Sequence, residues 1–167
     1  FSNSALVVTV KPDDFGASHP LAGIDFQRHW EQRAFRAGGG DYRAPAQNLL
    51  SFLGTGSGAV RSTVRPGCRE ADLREALPSF AAEELKAALP VFDRALPGFA
   101  GPEATLIGVE SRTSAPFRIV RGADGASLSH PGLYPAGEGA GYAGGIVSSA
   151  VDGLKIADLI LKKWNGA

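Results

Sequence analysis

Residues 132–164 read GLYPAGEGAGYAGGIVSSAVDGLKIADLILKKW, and no other stretch constrains the fold as much. Residues 133–136 are apolar and predict the end of a buried strand. Residues 137–145 form a backbone almost free of side-chain bulk, with one acid, Glu138. From Ile146 onward Val147, Ala150, Val151, Leu154, Ala157, Leu161 and Trp164 recur at helical spacing, which predicts a long helix with these residues on its buried face. Ser148, Asp152, Lys155 and Lys162 then fall on its solvated face. Asp158 precedes Lys162 by four residues, the favourable order for a helical ion pair. Lys162 and Lys163 suit the negative end of the helix dipole, and Asn165 and Gly166 supply a stop. A helix start reached through glycines presents N–H groups that lack intrahelical acceptors, ready for an anion or a polarised carbonyl.

Balanced charge bears on what such a site serves. Lysine plus arginine and aspartate plus glutamate number 17 each, so no net field draws the chain to nucleic acid or an anionic membrane. An apolar content of 44% in 167 residues supports a globular core. No apolar run is long enough to span a bilayer, and no basic-then-apolar leader is present, so a cytoplasmic location is expected. A single cysteine, Cys68, excludes an internal disulfide and a cysteine-based zinc site, and without a paired cysteine or a clear base it reads as an idle thiol. His19, His29 and His130 show no metal-ligating spacing. No G-x-S-x-G elbow is present. The chain holds no methionine and opens on a strand-like run, which predicts that it is cut from within a longer protein.

The remaining elements follow from local pattern. Residues 5–10 (ALVVTV) predict a buried strand. Residues 21–37 predict a helix that starts at Pro20 and ends at Gly38, with Ala22, Phe26, Trp30 and Ala34 as its stripe. Residues 41–45 predict a loop, 46–53 a short helix, 54–58 a flexible loop and 72–76 a helical turn. Residues 78–95 predict two short helices, capped by Ser79 and interrupted at Pro90. Residues 105–110 and 117–120 predict strands joined by a polar loop. Composition shifts near Pro102 from helical to strand-rich. The expected class is α+β, with a mostly helical cap or substrate portion at 1–100 and a second portion at 101–167 that ends in the long helix.

Gly139-Ala140-Gly141-Tyr142-Ala143-Gly144 matches the dinucleotide fingerprint G-x-G-x-x-G letter for letter. That fingerprint needs a further strand ending in an acid about 20 residues on. Here the acid precedes the glycines and no such strand is seen after the helix, so the stretch is not expected to be the start of a dinucleotide fold.

Residues 132–139 with Gly144 and Gly145 resemble the C-terminal flavin-contact motif of FAD-dependent oxidoreductases. Residues 3–10, 26–28, 44–47, 108–116 and 137–153 are similar to a little-characterised bacterial family of FAD-dependent dehydrogenases. The resemblance implies the C-terminal part of a longer flavoprotein, whose N-terminal FAD-binding half is the partner of this portion, with FAD as cofactor in a site incomplete here. It implies that Glu138, between Gly137 and Gly139, bonds the ribityl chain or pyrophosphate region, and a carboxylate has the acceptors to do so. It places Gly144, Gly145 and Ile146 at the helix start facing the flavin. It places the loop of Arg112, Thr113 and Ser114 near the cofactor. Tyr42, Arg43 and Gln47 are candidates for a substrate pocket in the cap, with ordinary surface positions as the alternative. The implied activity is hydride transfer between an unassigned small substrate and FAD, with no catalytic acid or base assigned, and with weak or no FAD binding by this portion alone. The alternative is a non-enzymatic domain that binds an anion at the helix start or docks a partner.

Overall fold

The computed structural model describes residues 1–165. Gly166, expected to help end the last helix, lies outside them. Among the described residues four α-helices and a three-stranded mixed sheet make an α+β fold. The chain divides into two compact units. The first comprises Phe1–Phe15 and Arg28–Ser111, and the second comprises Gly16–Gln27 and the residues from Arg112 onward.

Helix α1 (Ala22–Ala37) contributes residues to both units. Its expected stripe is its shielded face: Ala22 and Ala34 are buried and Phe26 and Trp30 half-buried, while Asp25, Arg28, Glu31, Gln32 and Arg36 are exposed. In the first unit β1 (Ala44–Asn48) is the central strand, parallel to β2 (Cys68–Glu70) and antiparallel to β3 (Thr105–Ile107). Ala46 stands opposite both Glu70 and Ile107. The expected helix at 46–53 is therefore half strand: only α2 (Leu49–Leu53) is helical. Asn48 makes the switch. Its Oδ1 accepts from the backbone N of Leu50 and Ser51, capping α2, while its Nδ2 donates to the carbonyls of Pro102 and Ala104.

Helix α3 (Ser79–Ala95) runs unbroken through Pro90, against the expectation of two helices, and Pro78 rather than Ser79 holds the cap position. Pro90 is exposed while its neighbour Leu89 is fully buried. A proline on the outer side of a helix that curves around a core removes a hydrogen bond where such bonds are already lengthened. Leu49, Phe52, Leu73, Ala82 and Leu89 form the core of this unit, and Leu6, Leu85, Phe99 and Leu106 pack around it. The expected turn at 72–76 is a 3-10 turn, Leu73–Glu75, capped by Asp72.

Three expected strands are absent. Residues 5–10, 117–120 and 133–136 belong to no strand, and β3 is shorter than the expected 105–110. Residues 5–10 have the side chains of a strand, yet among the described residues no strand pairs with them, and Val7 and Val10 are exposed. Residues 117–120 and 133–136 sit in the second unit beside a lone antiparallel bridge between Arg121 and Ser127. There Leu128 N bonds Val120 O and Ser127 N bonds Leu133 O.

Helix α4 (Ile146–Asn165) is present as expected, but turned. Its shielded positions are Ser149, Asp152, Gly153, Ile156, Leu159 and Ile160. The apolar stripe expected to be buried is exposed, with Val147 at 75%, Leu154 at 71% and Trp164 at 81%. Gly125 explains the choice of face: at φ +79, a Cβ there would come within 2.8 Å of Ile156 Cδ1, so this bare backbone seats the helix through Ile156.

Candidate functional site

The second unit brings the glycine-rich turn and the Arg112–Ser114 loop together. Residues Glu138–Ala140 form a single 3-10 turn. It is closed by Gly141 N to Glu138 O at 2.9 Å and Tyr142 N to Gly137 O at 3.0 Å. Gly137 at φ +66 and Gly141 at φ +81 set its two ends, conformations that glycine adopts without strain. At Gly141 a side chain would also strike the backbone of Phe117 and Arg118. Gly144 lies against the other loop, since a Cβ there would stand 3.0 Å from Thr113 O and 3.5 Å from Ser114 Cβ. Arg112 Nε approaches Glu138 Oε1 at 4.0 Å, with both side chains about half exposed, so water screens the pair and it adds little to stability.

Two glycines serve no such packing purpose. A Cβ at Gly139 would meet nothing within 4 Å, and one at Gly145 would meet only Ser148 Oγ, at 3.5 Å. Ser148 Oγ accepts from Gly145 N at 3.1 Å and closes the end of α4. The N–H groups of the helix's first turn have no intrahelical acceptor, and Ile146 and Val147 there are exposed. Ser149 Oγ, packed under Gly137, is buried without a partner among the described residues. Beside the turn lies an open cavity of about 410 Å³ whose lining includes Ser114, Phe117, Arg118, Gly141 and Tyr142.

The turn is anchored by residues that the sequence pattern did not single out. Arg121 and Asp152 form a bidentate ion pair, Nη2 to Oδ1 at 2.6 Å and Nη1 to Oδ2 at 2.9 Å, with both side chains largely buried. Asp152 Oδ2 also accepts from Gly137 N at 2.8 Å. Arg121 Nη1 donates to Pro135 O at 2.7 Å, and its guanidinium lies 3.6 Å from the centre of the Tyr142 ring. The Tyr142 hydroxyl accepts from Arg121 N at 3.1 Å and donates to Ile119 O at 3.2 Å. Arg118 Nε donates to Gly141 O at 2.9 Å. The hydrogen bonds from Arg121 and from Gly137 N hold the Asp152 carboxyl down at about 2. Asp152 was expected on the solvated face of α4. Its partner is 31 residues away, and helical periodicity carries no sign of it.

The substrate candidates lie in the first unit. Tyr42 has φ +66 and is 81% exposed, with its ring edge-on to Phe35 at 5.1 Å. Arg43 Nε bonds the Asp41 carboxylate at 2.9 Å, and Gln47 Oε1 accepts from Leu73 N at 3.0 Å. Arg43 and Gln47 thus engage partners within their own unit. His19 faces Asp25 at 3.4 Å, His29 meets Trp30 edge-on, and His130 Nδ1 lies 2.9 Å from Ser129 Oγ. Among the described residues no three His, Cys, Asp or Glu side chains come together as a metal-binding group, and no helix is long and apolar enough to cross a membrane.

A family model described as "FAD-dependent protein, C-terminal domain-like" matches residues 1–113. The match ends before the glycine-rich turn. An uncharacterized protein of Clostridium beijerinckii is 48% identical over 168 residues, which cover 98% of this chain and 32% of that protein. The chain thus spans about a third of the length of that relative.

Proposed function

The chain belongs to the family of FAD-dependent proteins with this C-terminal domain, and from that premise we propose that it supplies one wall of an FAD site in a flavin-dependent oxidoreductase. The observation that carries the reading is the convergence of Gly144, Thr113 and Ser114 beside Glu138 and the start of α4. The open space at Gly139 fits the group, because a position without a side chain leaves the backbone approachable where the fold itself needs no glycine.

In this reading the Glu138 carboxylate accepts hydrogen bonds from ribityl hydroxyls, and Arg112, about half exposed 4.0 Å away, balances its charge near the pyrophosphate. Thr113 and Ser114 offer hydroxyls to the ring. The start of α4 at Ile146 directs N–H groups and the positive end of the helix dipole at the site, which favours negative charge there by about 0.3–2 kcal/mol. Bound FAD supplies the hydride chemistry, and the protein contributes orientation and electrostatics. The exposed apolar stripe of α4 and the greater length of the Clostridium beijerinckii relative support a partner in cis, the N-terminal FAD-binding half of a longer polypeptide. The substrate is a small molecule. For Arg43 and Gln47 to line a substrate pocket with Tyr42, they would exchange their bonds to Asp41 and Leu73 for bonds to substrate.

Reconstitution of the polypeptide as its gene encodes it, followed by FAD titration of wild type and Glu138→Ala, tests the proposal. Tight binding that weakens in the variant is expected. Equal binding by both removes Glu138 from the site, and no binding by either contradicts the flavin reading.

A further inference from the structure

We propose that Arg121 and Asp152 are the positioning pair of this site: they lock the glycine turn to α4 and so set how tightly the turn holds its ligand. An ion pair that served stability alone would have no need to touch the turn. This one meets the turn and its flanks at three points, through Pro135 O, Gly137 N and the Tyr142 ring. Asp152 lies on the second turn of α4, so its bond to Gly137 makes the glycine turn and the helix start one body. The open backbone at Gly139 is thereby presented at a fixed separation from the start of α4. Arg121 neutralises Asp152 and leaves no net negative charge beside a helix start that suits an anionic ligand. The planar fork of arginine is required, because a lysine carries the charge but cannot hold both carboxylate oxygens, reach Pro135 O and stack on Tyr142 together.

The inference rests on the flavin reading for the identity of the ligand and on the geometry alone for the lock. The test uses Arg121→Lys, Asp152→Asn and the double variant in the gene-encoded polypeptide, with two readouts. Hydrogen exchange of the flavin-free protein compares peptides covering residues 134–145 with those covering α3, and titration gives the affinity for FAD. Each single variant is expected to speed exchange in the turn by roughly tenfold while α3 is unchanged. Each is also expected to weaken FAD binding by roughly tenfold or more, with the double variant no worse than the singles, since either change dissolves the same unit. Unchanged exchange in the turn, or FAD affinity within about twofold of wild type, overturns the proposal. If Asp152→Asn fails to fold, Arg121→Lys decides, because it keeps the charge. If the wild type binds no FAD, the flavin reading falls and the lock is judged on exchange alone.

Discussion

Asp152 accepts the Gly137 N–H at 2.8 Å across a separation of 15 residues, and this bond ties the glycine-rich turn to the body of α4. Both groups are shielded, and Arg121 completes the carboxylate from its other side. The shape of the candidate site therefore depends on Arg121, a charge that lies outside the glycine-rich stretch.

That dependence makes acid stability informative. The folded carboxyl of Asp152 sits at about 2 against an ordinary value of 3.8. A lowered carboxyl contributes stability above the unfolded value and loses it as pH falls toward the folded one. Its contribution should be intact at neutral pH and fade between pH 3.8 and about 2. Urea midpoints measured across that window should fall more steeply for wild type than for Asp152→Asn; parallel curves would remove the pair from the account.

Gly141 and Gly139 should respond oppositely to a methyl group. Gly141→Ala meets both φ +81 and the backbone of Phe117, so it should lower stability by about 2–4 kcal/mol in urea unfolding. Gly139→Ala meets nothing within 4 Å and should change stability by less than about 0.5 kcal/mol. Its effect should fall on FAD affinity instead, and unchanged affinity in Gly139→Ala would show that the space at this position is not part of the site.

Asn48 links β1, α2 and the segment before β3. Asn48→Ala removes the cap of α2 and the amide bond to Pro102 O, while Ala104 O keeps its bond from Leu49 N, so a loss of about 1–3 kcal/mol is expected. A loss below about 1 kcal/mol would mean that water replaces the amide at no penalty.

The parts of the fold legible in the sequence are those whose cause is local. The stripe of α1, the helical turn at 72–76 and the length of α4 all follow from spacing over a few residues. The sheet was hidden because β1 is Ala-Pro-Ala-Gln-Asn, without a β-branched residue, and its partners lie more than twenty and more than fifty residues further along the chain. Residues 5–10 illustrate the converse: strand-like side chains make no strand without a neighbour to bond. In α4 the apolar count favoured the wrong face, because packing is set by Gly125, which admits Ile156, and by the ion pair that draws Asp152 inward. The meeting of Glu138, Arg112 and Gly144 was legible as a resemblance. The Arg121–Asp152 lock was not, since 31 residues separate its members and helical spacing does not pair them.

The most direct test of the central claim is an equilibrium titration of the gene-encoded polypeptide with FAD, followed by flavin absorbance and fluorescence. The account predicts saturable binding of one FAD per chain, weakened by Glu138→Ala and by Gly139→Ala without loss of fold. A folded protein that takes up no FAD, or that binds it equally well with both changes in place, would contradict it.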